Sequence, residues 1–166
     1  MTAPTSTGRI WRFGDNVDTD AMAPGAHMKG GIDALARHCL AILRPEFPGT
    51  VRRGDIVVGG TNFGMGSSRE QAPQALRHLG VAAVIAPSFA GLFYRNALNL
   101  GLPVLVCAHT APLADGLTAA FDLECATLRL ADGTVVPCEP VPEFLRAMLA
   151  AGGLLPYLKD RLGPRD

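Results

Sequence analysis

Between residues 54 and 107 short apolar runs alternate with segments of helical periodicity, and glycines punctuate the changes. The run 54–58 leads into a glycine-rich turn, and a helix from Ser68 to about Leu79 stops at Gly80. Residues 81–86 are then apolar throughout, a second helix covers 89–100 and stops at Gly101, and 103–107 is apolar again. Strands without polar alternation are buried on both faces, as happens in parallel sheets covered by helices. Glycine just past a helix supplies its left-handed end. The pattern therefore predicts βαβ units with right-handed crossovers, preceded by a strand over residues 8–13. The last third changes character. Residues 121–124, 127–130 and 134–137, with Asp132-Gly133 between the last two, read as a small antiparallel section containing a hairpin. Pro142 opens a helix to about Ala151, and residues 154–162 form a last short one. The expectation is one α/β domain over residues 1–166, with residues 1–7 disordered. Neither an internal repeat nor a low-complexity segment is visible.

A chain of 166 residues that is 48% hydrophobic can bury one substantial core without being divided. Fifteen basic residues balance fifteen acidic ones, so no general cationic field exists to hold a nucleic-acid backbone. No basic segment followed by an apolar run opens the sequence, which argues against a signal peptide. Gly, Pro or a charge interrupts every apolar run well short of a membrane span. A cytoplasmic protein with no nucleic-acid or membrane partner is expected. Cys39, Cys107, Cys125 and Cys138 are irregularly spaced, with no Cys-x-x-Cys pair, and read as small hydrophobes in a reducing compartment. His27, His38, His78 and His109 are equally scattered, so this chain is expected to bind no metal and no cofactor of its own.

Chemistry concentrates in Gly60-Thr61-Asn62-Phe63-Gly64-Met65-Gly66-Ser67-Ser68-Arg69-Glu70-Gln71-Ala72-Pro73, where a glycine-rich turn becomes a helix. Glycines let backbone approach a ligand closely, and helical N–H groups attract carboxylate or phosphate. Arg69 adds a planar fork able to grip a carboxylate with two parallel bonds. Two simpler readings stand beside this one. Ser67-x-x-Glu70 and Ser68-x-x-Gln71 both fit a capping box, so either serine can serve only to close the helix start. A phosphate loop is the other, but it needs Lys before its Ser/Thr, where this chain has Gly66. Upstream, Gly14-Asp15-Asn16-Val17-Asp18-Thr19-Asp20 lacks the glycine and closing Glu of a calcium loop, and reads as a turn that orders the chain entering the site.

The stretch Asn62-Phe63-Gly64-Met65-Gly66-Ser67-Ser68-Arg69-Glu70-Gln71-Ala72-Pro73 resembles the signature of the small subunit of 3-isopropylmalate dehydratase, within the aconitase and homoaconitase superfamily. Gly14 to Asp20, Leu43-Arg44-Pro45-Glu46-Phe47, and the segment from Ala86 to Pro103 resemble further family landmarks, in the same order. The likeness runs from about Gly8 to about Lys159. It implies a swivelling β/β/α three-layer domain with a parallel βαβ core and a small antiparallel C-terminal section. It also implies Ser67 as a catalytic base, with Ser68 and Arg69 as oxyanion-type donor and carboxylate clamp, and Asp20 as a supporting residue. Arg95, Asn96 and Asn99 are polar helix positions that partner contact or solvent exposure explains as well as chemistry does.

Isomerising a 2-hydroxy to a 3-hydroxy dicarboxylate removes water across two carbons and adds it back reversed. Hydroxyl is a poor leaving group and calls for a Lewis acid, while the proton next to a carboxylate calls for a strong base. The resemblance implies that the Lewis acid is a [4Fe–4S] cluster in a separate large subunit, in a heterodimer or heterotetramer, and that this chain alone is inactive. Family members carry a specificity motif, often Tyr-Leu-Arg-Thr, where this chain has His27, Met28, Lys29 and Gly30. Met28 can still meet an alkyl group, and Lys29 keeps a cation without the fork. Gly25, Gly30 and Gly31 suggest a mobile loop. A homoaconitate, dimethylmalate, citraconate or other methylmalate enzyme is the alternative, as is a carboxylate-binding module without catalysis.

Overall fold

The computed structural model describes residues 6–163. Seven strands, β1 (Ser6–Arg12), β2 (Ile56–Val58), β3 (Ala83–Ala86), β4 (Val104–Val106), β5 (Thr118–Asp122), β6 (Thr127–Leu130) and β7 (Val135–Pro137), make one sheet in the order β4-β3-β2-β1-β5-β6-β7. The β4-to-β1 half is parallel and the β1-to-β7 half antiparallel. All seven lie where the apolar runs placed them. β5 begins three residues earlier than expected, because Thr118–Phe121 pair with Arg9–Ser6. Ser6 and Thr7 thus belong to β1 rather than to a disordered tail, and the rest of that expectation, residues 1–5, lies outside the described residues.

Strand alternation sorts the core into two layers. Trp11, Val57, Val84 and Val104 face the helices. Ile10, Ile56, Val58, Ile85 and Leu105 face the other way and pack on Phe121, Leu128 and Val136 of the antiparallel half, which curls back over them. Beyond β7, the Glu139 N–H donates to the Val106 carbonyl at 2.8 Å and ties the two sheet edges together. The result is the expected three layers: strands on strands, and helices on the parallel half's outer face. Asp55, buried just before β2, accepts from Trp11 Nε1 at 2.9 Å, from the Arg9 N–H at 3.0 Å and from the Arg52 N–H at 2.9 Å. Three donors satisfy this carboxylate and clamp β1 to the approach of β2.

The crossover from β1 to β2 holds α1 (Thr19–Met22), a 3-10 helix over Gly25–Gly30, α2 (Gly31–Ala36) and α3 (Phe47–Thr50). None of these short elements was expected from sequence. The remaining helices, α4 (Gln71–His78), α5 (Gly91–Asn99), α6 (Glu143–Ala150) and α7 (Leu154–Leu162), match the periodic segments, with one difference that matters. α4 begins at Gln71, not Ser68, and its N-cap Glu70 makes no side-chain cap bond. Neither serine capping box forms. Pro73 explains the shift: a helix capped by Ser68 would need a bond from residue 73 to the Arg69 carbonyl, which proline cannot donate. Starting at Gln71 puts Pro73 in the first turn, where its N–H has no intrahelical partner to lose.

Candidate active site at the carboxyl ends of β1 and β2

Past the ends of β1 and β2 the chain runs as two loops side by side. Gly60 N–H donates to the Gly14 carbonyl at 2.9 Å, Asn16 to Thr61 at 2.9 Å, Gly64 to Val17 at 2.7 Å and Thr19 to Met65 at 2.9 Å. The carboxylate of Asp15 accepts from the Thr61 N–H at 2.7 Å, and that of Asp18 accepts from the Ala21 N–H at 2.7 Å to cap α1. The acidic residues of this motif order the loop, as a turn reading predicts. Among the described residues no three of His, Cys, Asp and Glu come together to hold a metal ion. Gly64 and Gly66 have φ of +85° and +103°. A Cβ on Gly64 would also run into the Phe93 ring, so both positions call for glycine.

This pairing brings Thr19 and Asp20 beside Ser67, Ser68 and Arg69. Arg69 Nη1 donates to Asp20 Oδ1 at 2.7 Å and to the Ala23 carbonyl at 2.8 Å. The Gly25 N–H reaches the same Asp20 oxygen at 3.2 Å. The remaining guanidinium nitrogens have no acceptor among the described residues, so half of the fork is open to a ligand. The Arg69 hydrogen bond, followed by that from Gly25, holds the Asp20 carboxyl below its ordinary value of 3.8. A carboxyl lowered by folding stabilises the fold above its unfolded value, and the contribution is lost as pH falls through the lowered one. Asp20 is 67% exposed, so the pair is screened and contributes roughly 0–1 kcal/mol. Asp20→Asn is expected to shift Tm only slightly at neutral pH and to flatten the acid-side loss below pH 3.8. Thermal melts across pH 2.5–7 measure this (roughly the window over which a carboxylate pair is lost). Superimposable profiles for the two proteins would mean that the pair does not persist in solution.

Ser67 and Ser68 are exposed on the loop. Ser67 Oγ lies 3.3 Å from Thr19 Oγ1. The Ser68 carbonyl accepts from Asn96 Nδ2 at 3.4 Å, which gives that α5 residue a place at the rim. The loop of His27, Met28 and Lys29 is a 3-10 helix, joined to the site through Gly25. His27 stacks on His38 with ring centres 3.5 Å apart, Met28 packs against the helix-side core, and Lys29 is exposed. Ser67, Ser68, Arg69 and Asp20 are therefore gathered, while His27 and Met28 lie half-buried on the neighbouring 3-10 helix. Thr19 is the site residue that the sequence reading passed over: it lies 48 positions from Ser67, and no local spacing signals the contact.

Comparison with known proteins decides the family. The model of the aconitase C-terminal domain matches residues 44–109, which include the whole glycine-rich loop. The chain is 50% identical over 155 residues to the methanogen homoaconitase small subunit of Methanothermobacter thermautotrophicus, covering 92% of this chain and 90% of that one. It is 46% identical over 158 residues to the 3-isopropylmalate dehydratase small subunit of Nautilia profundicola, covering 94% and 95%. A crystal structure of 3-isopropylmalate dehydratase from Methanocaldococcus jannaschii superposes with a TM-score of 0.90 at 43% identity over 96% of both chains. The chain belongs to the 3-isopropylmalate dehydratase small-subunit family. An iron–sulfur cluster does not fit this small subunit's own thiols. Cys39 and Cys107 are buried, Cys138 is half-buried and Cys125 is exposed. Burial pushes the Cys39 thiol up, and burial together with neighbouring Cys107 pushes up that of Cys138, so neither offers a ready thiolate ligand.

Proposed function

We propose that this chain is the small subunit of a two-subunit hydro-lyase that interconverts 2-isopropylmalate and 3-isopropylmalate, a step of leucine biosynthesis. The observation that carries the reading is the exposed Ser67 and, two residues on, the half-buried Arg69 with part of its guanidinium unpaired and the rest held by Asp20. Arg69 holds a substrate carboxylate with its free guanidinium edge, while Asp20 and the Ala23 carbonyl fix the other edge and the plane. Ser67 Oγ takes the proton from the carbon beside the carboxylate and returns it during rehydration. Residues of this chain do not fit a cluster, and the Lewis acid that helps the hydroxyl leave is assigned to a [4Fe–4S] cluster in the large subunit. Ser68 contributes its hydroxyl at the same rim. A chain that supplies base and clamp but no Lewis acid is inactive alone.

Substrate preference is assigned to the 3-10 helix that follows the Asp20 contact. Replacing His27-Met28-Lys29-Gly30 by Tyr-Leu-Arg-Thr is expected to shift relative kcat/KM toward isopropylmalate by about tenfold, since a methylene or two discriminates by only roughly 1–3 kcal/mol. The panel to measure is isopropylmalate, several methylmalates and homoaconitate, each before and after the exchange. Equal ratios in the two proteins would remove this segment as selector. Homoaconitate or a methylmalate as the preferred substrate of the unaltered complex would move the assignment within the family. Binding without turnover of any of them would favour a carboxylate-binding module.

A further inference from the structure

A serine hydroxyl serves as a base only if its oxygen is stabilised when it carries no proton. The first turn of the following helix is not placed to do this, because α4 starts at Gln71, four residues beyond Ser67. Ser67 Oγ instead has a side-chain neighbour. Thr19 Oγ1 lies 3.3 Å away, on a residue that is only 2% exposed. Among the described residues the Thr19 hydroxyl has no other hydrogen-bond partner, so the protein has buried a hydroxyl whose single contact is the exposed serine. Its backbone is fixed independently, by the Thr19 N–H on the Met65 carbonyl at 2.9 Å and by the Asp18 cap on α1. Gly66 keeps the space open: a Cβ there would lie 3.1 Å from Thr19 Oγ1.

We infer that Thr19 is a positioning residue for the proton-transfer step, donating its hydroxyl hydrogen to Ser67 Oγ and aiming that oxygen at the substrate. This deepens the proposed function and rests on Ser67 being the base. When Ser67 Oγ lacks a proton it can only accept, so the direction of the bond is set by Thr19. When it carries the substrate's proton, that proton occupies the outward side and the Thr19 bond stays in place. Thr19 is buried behind Ser67, so its loss is expected to act on kcat and spare KM.

The test uses the assembled complex with its large subunit under anaerobic conditions. Thr19→Val keeps the shape and removes the hydroxyl; Thr19→Ser restores it. The expected result is a fall in kcat of about ten- to a hundredfold for Thr19→Val with KM within about twofold, and recovery of most of the loss by Thr19→Ser. Added to Ser67→Ala, Thr19→Val is expected to lower the residual rate no further, because the two act as one unit. Thr19→Val with wild-type kcat, while Ser67→Ala is inactive, would overturn the inference alone. So would a Thr19→Ser complex as slow as Thr19→Val. A Ser67→Ala complex that still turns over would instead contradict the underlying assignment of the base. Should Thr19→Val assemble poorly, Thr19→Ala and Thr19→Ser in the same assay decide the point through the KM-against-kcat split.

Discussion

Ser67→Ala in the reconstituted enzyme is expected to reduce turnover by at least about a thousandfold while leaving subunit assembly and substrate affinity nearly unchanged, because a base contributes in the transition state and not to ground-state binding. The structure sharpens this expectation. Ser67 does not cap α4 and is exposed, so its hydroxyl has no part in holding the loop beyond the contact with Thr19. Loss of the hydroxyl leaves the buried Thr19 hydroxyl without its partner, so stability is expected to fall by about 1–3 kcal/mol while the fold and the loop stay in place. Ser68→Ala separates the two serines. A capping role would have cost on the order of 1 kcal/mol, but α4 starts past Ser68, and the change is now expected to stay within about 0.5 kcal/mol. Single-turnover kinetics and calorimetry on the two variants check both statements. Wild-type turnover in Ser67→Ala would remove the base assignment.

Arg69→Lys preserves the charge and discards the geometry. One guanidinium nitrogen already serves Asp20 and the Ala23 carbonyl, and the open edge is left for a substrate carboxylate. A lysine ammonium can join Asp20 or the substrate, but it has no second, pre-aimed edge to hold both at once. Charge-assisted bonds of this type are worth roughly 1.5–3 kcal/mol, so kcat/KM is expected to fall by about ten- to a hundredfold, with KM raised. Adding Asp20→Asn to Arg69→Lys should cost little more, since a lysine bound to substrate no longer uses Asp20. Steady-state kinetics on the single and double variants measure it. Unchanged kinetics in Arg69→Lys would mean that the guanidinium's task is to brace Asp20 and the α1 turn.

The strand pattern was legible because buried parallel strands are short and continuously apolar, and because Asp132-Gly133 forms the turn between β6 and β7. The crossover between β1 and β2 was not. α1 and α3 have four residues each, too few for periodicity to declare itself; α1 is capped by Asp18, and α3 is anchored by its own Phe47, which packs edge to face on Trp11 and Phe13. The start of α4 was open to a better reading, since Pro73 rules out a helix capped at Ser68. Ser67, Ser68, Arg69 and Asp20 came from resemblance, and the loops after β1 and β2 gather them. Thr19 lay beyond reach, because its contact with Ser67 exists only once β1 and β2 are adjacent.

The most direct test of the account is an anaerobic assay of 2-isopropylmalate with this chain, with its large subunit, and with the two mixed. Only the mixture is expected to interconvert 2- and 3-isopropylmalate, with the alkene intermediate seen by its ultraviolet absorbance, and a mixture containing Ser67→Ala is expected to form the same complex without turnover. An assembled complex that binds alkylmalates and dehydrates none of them would overturn the assignment.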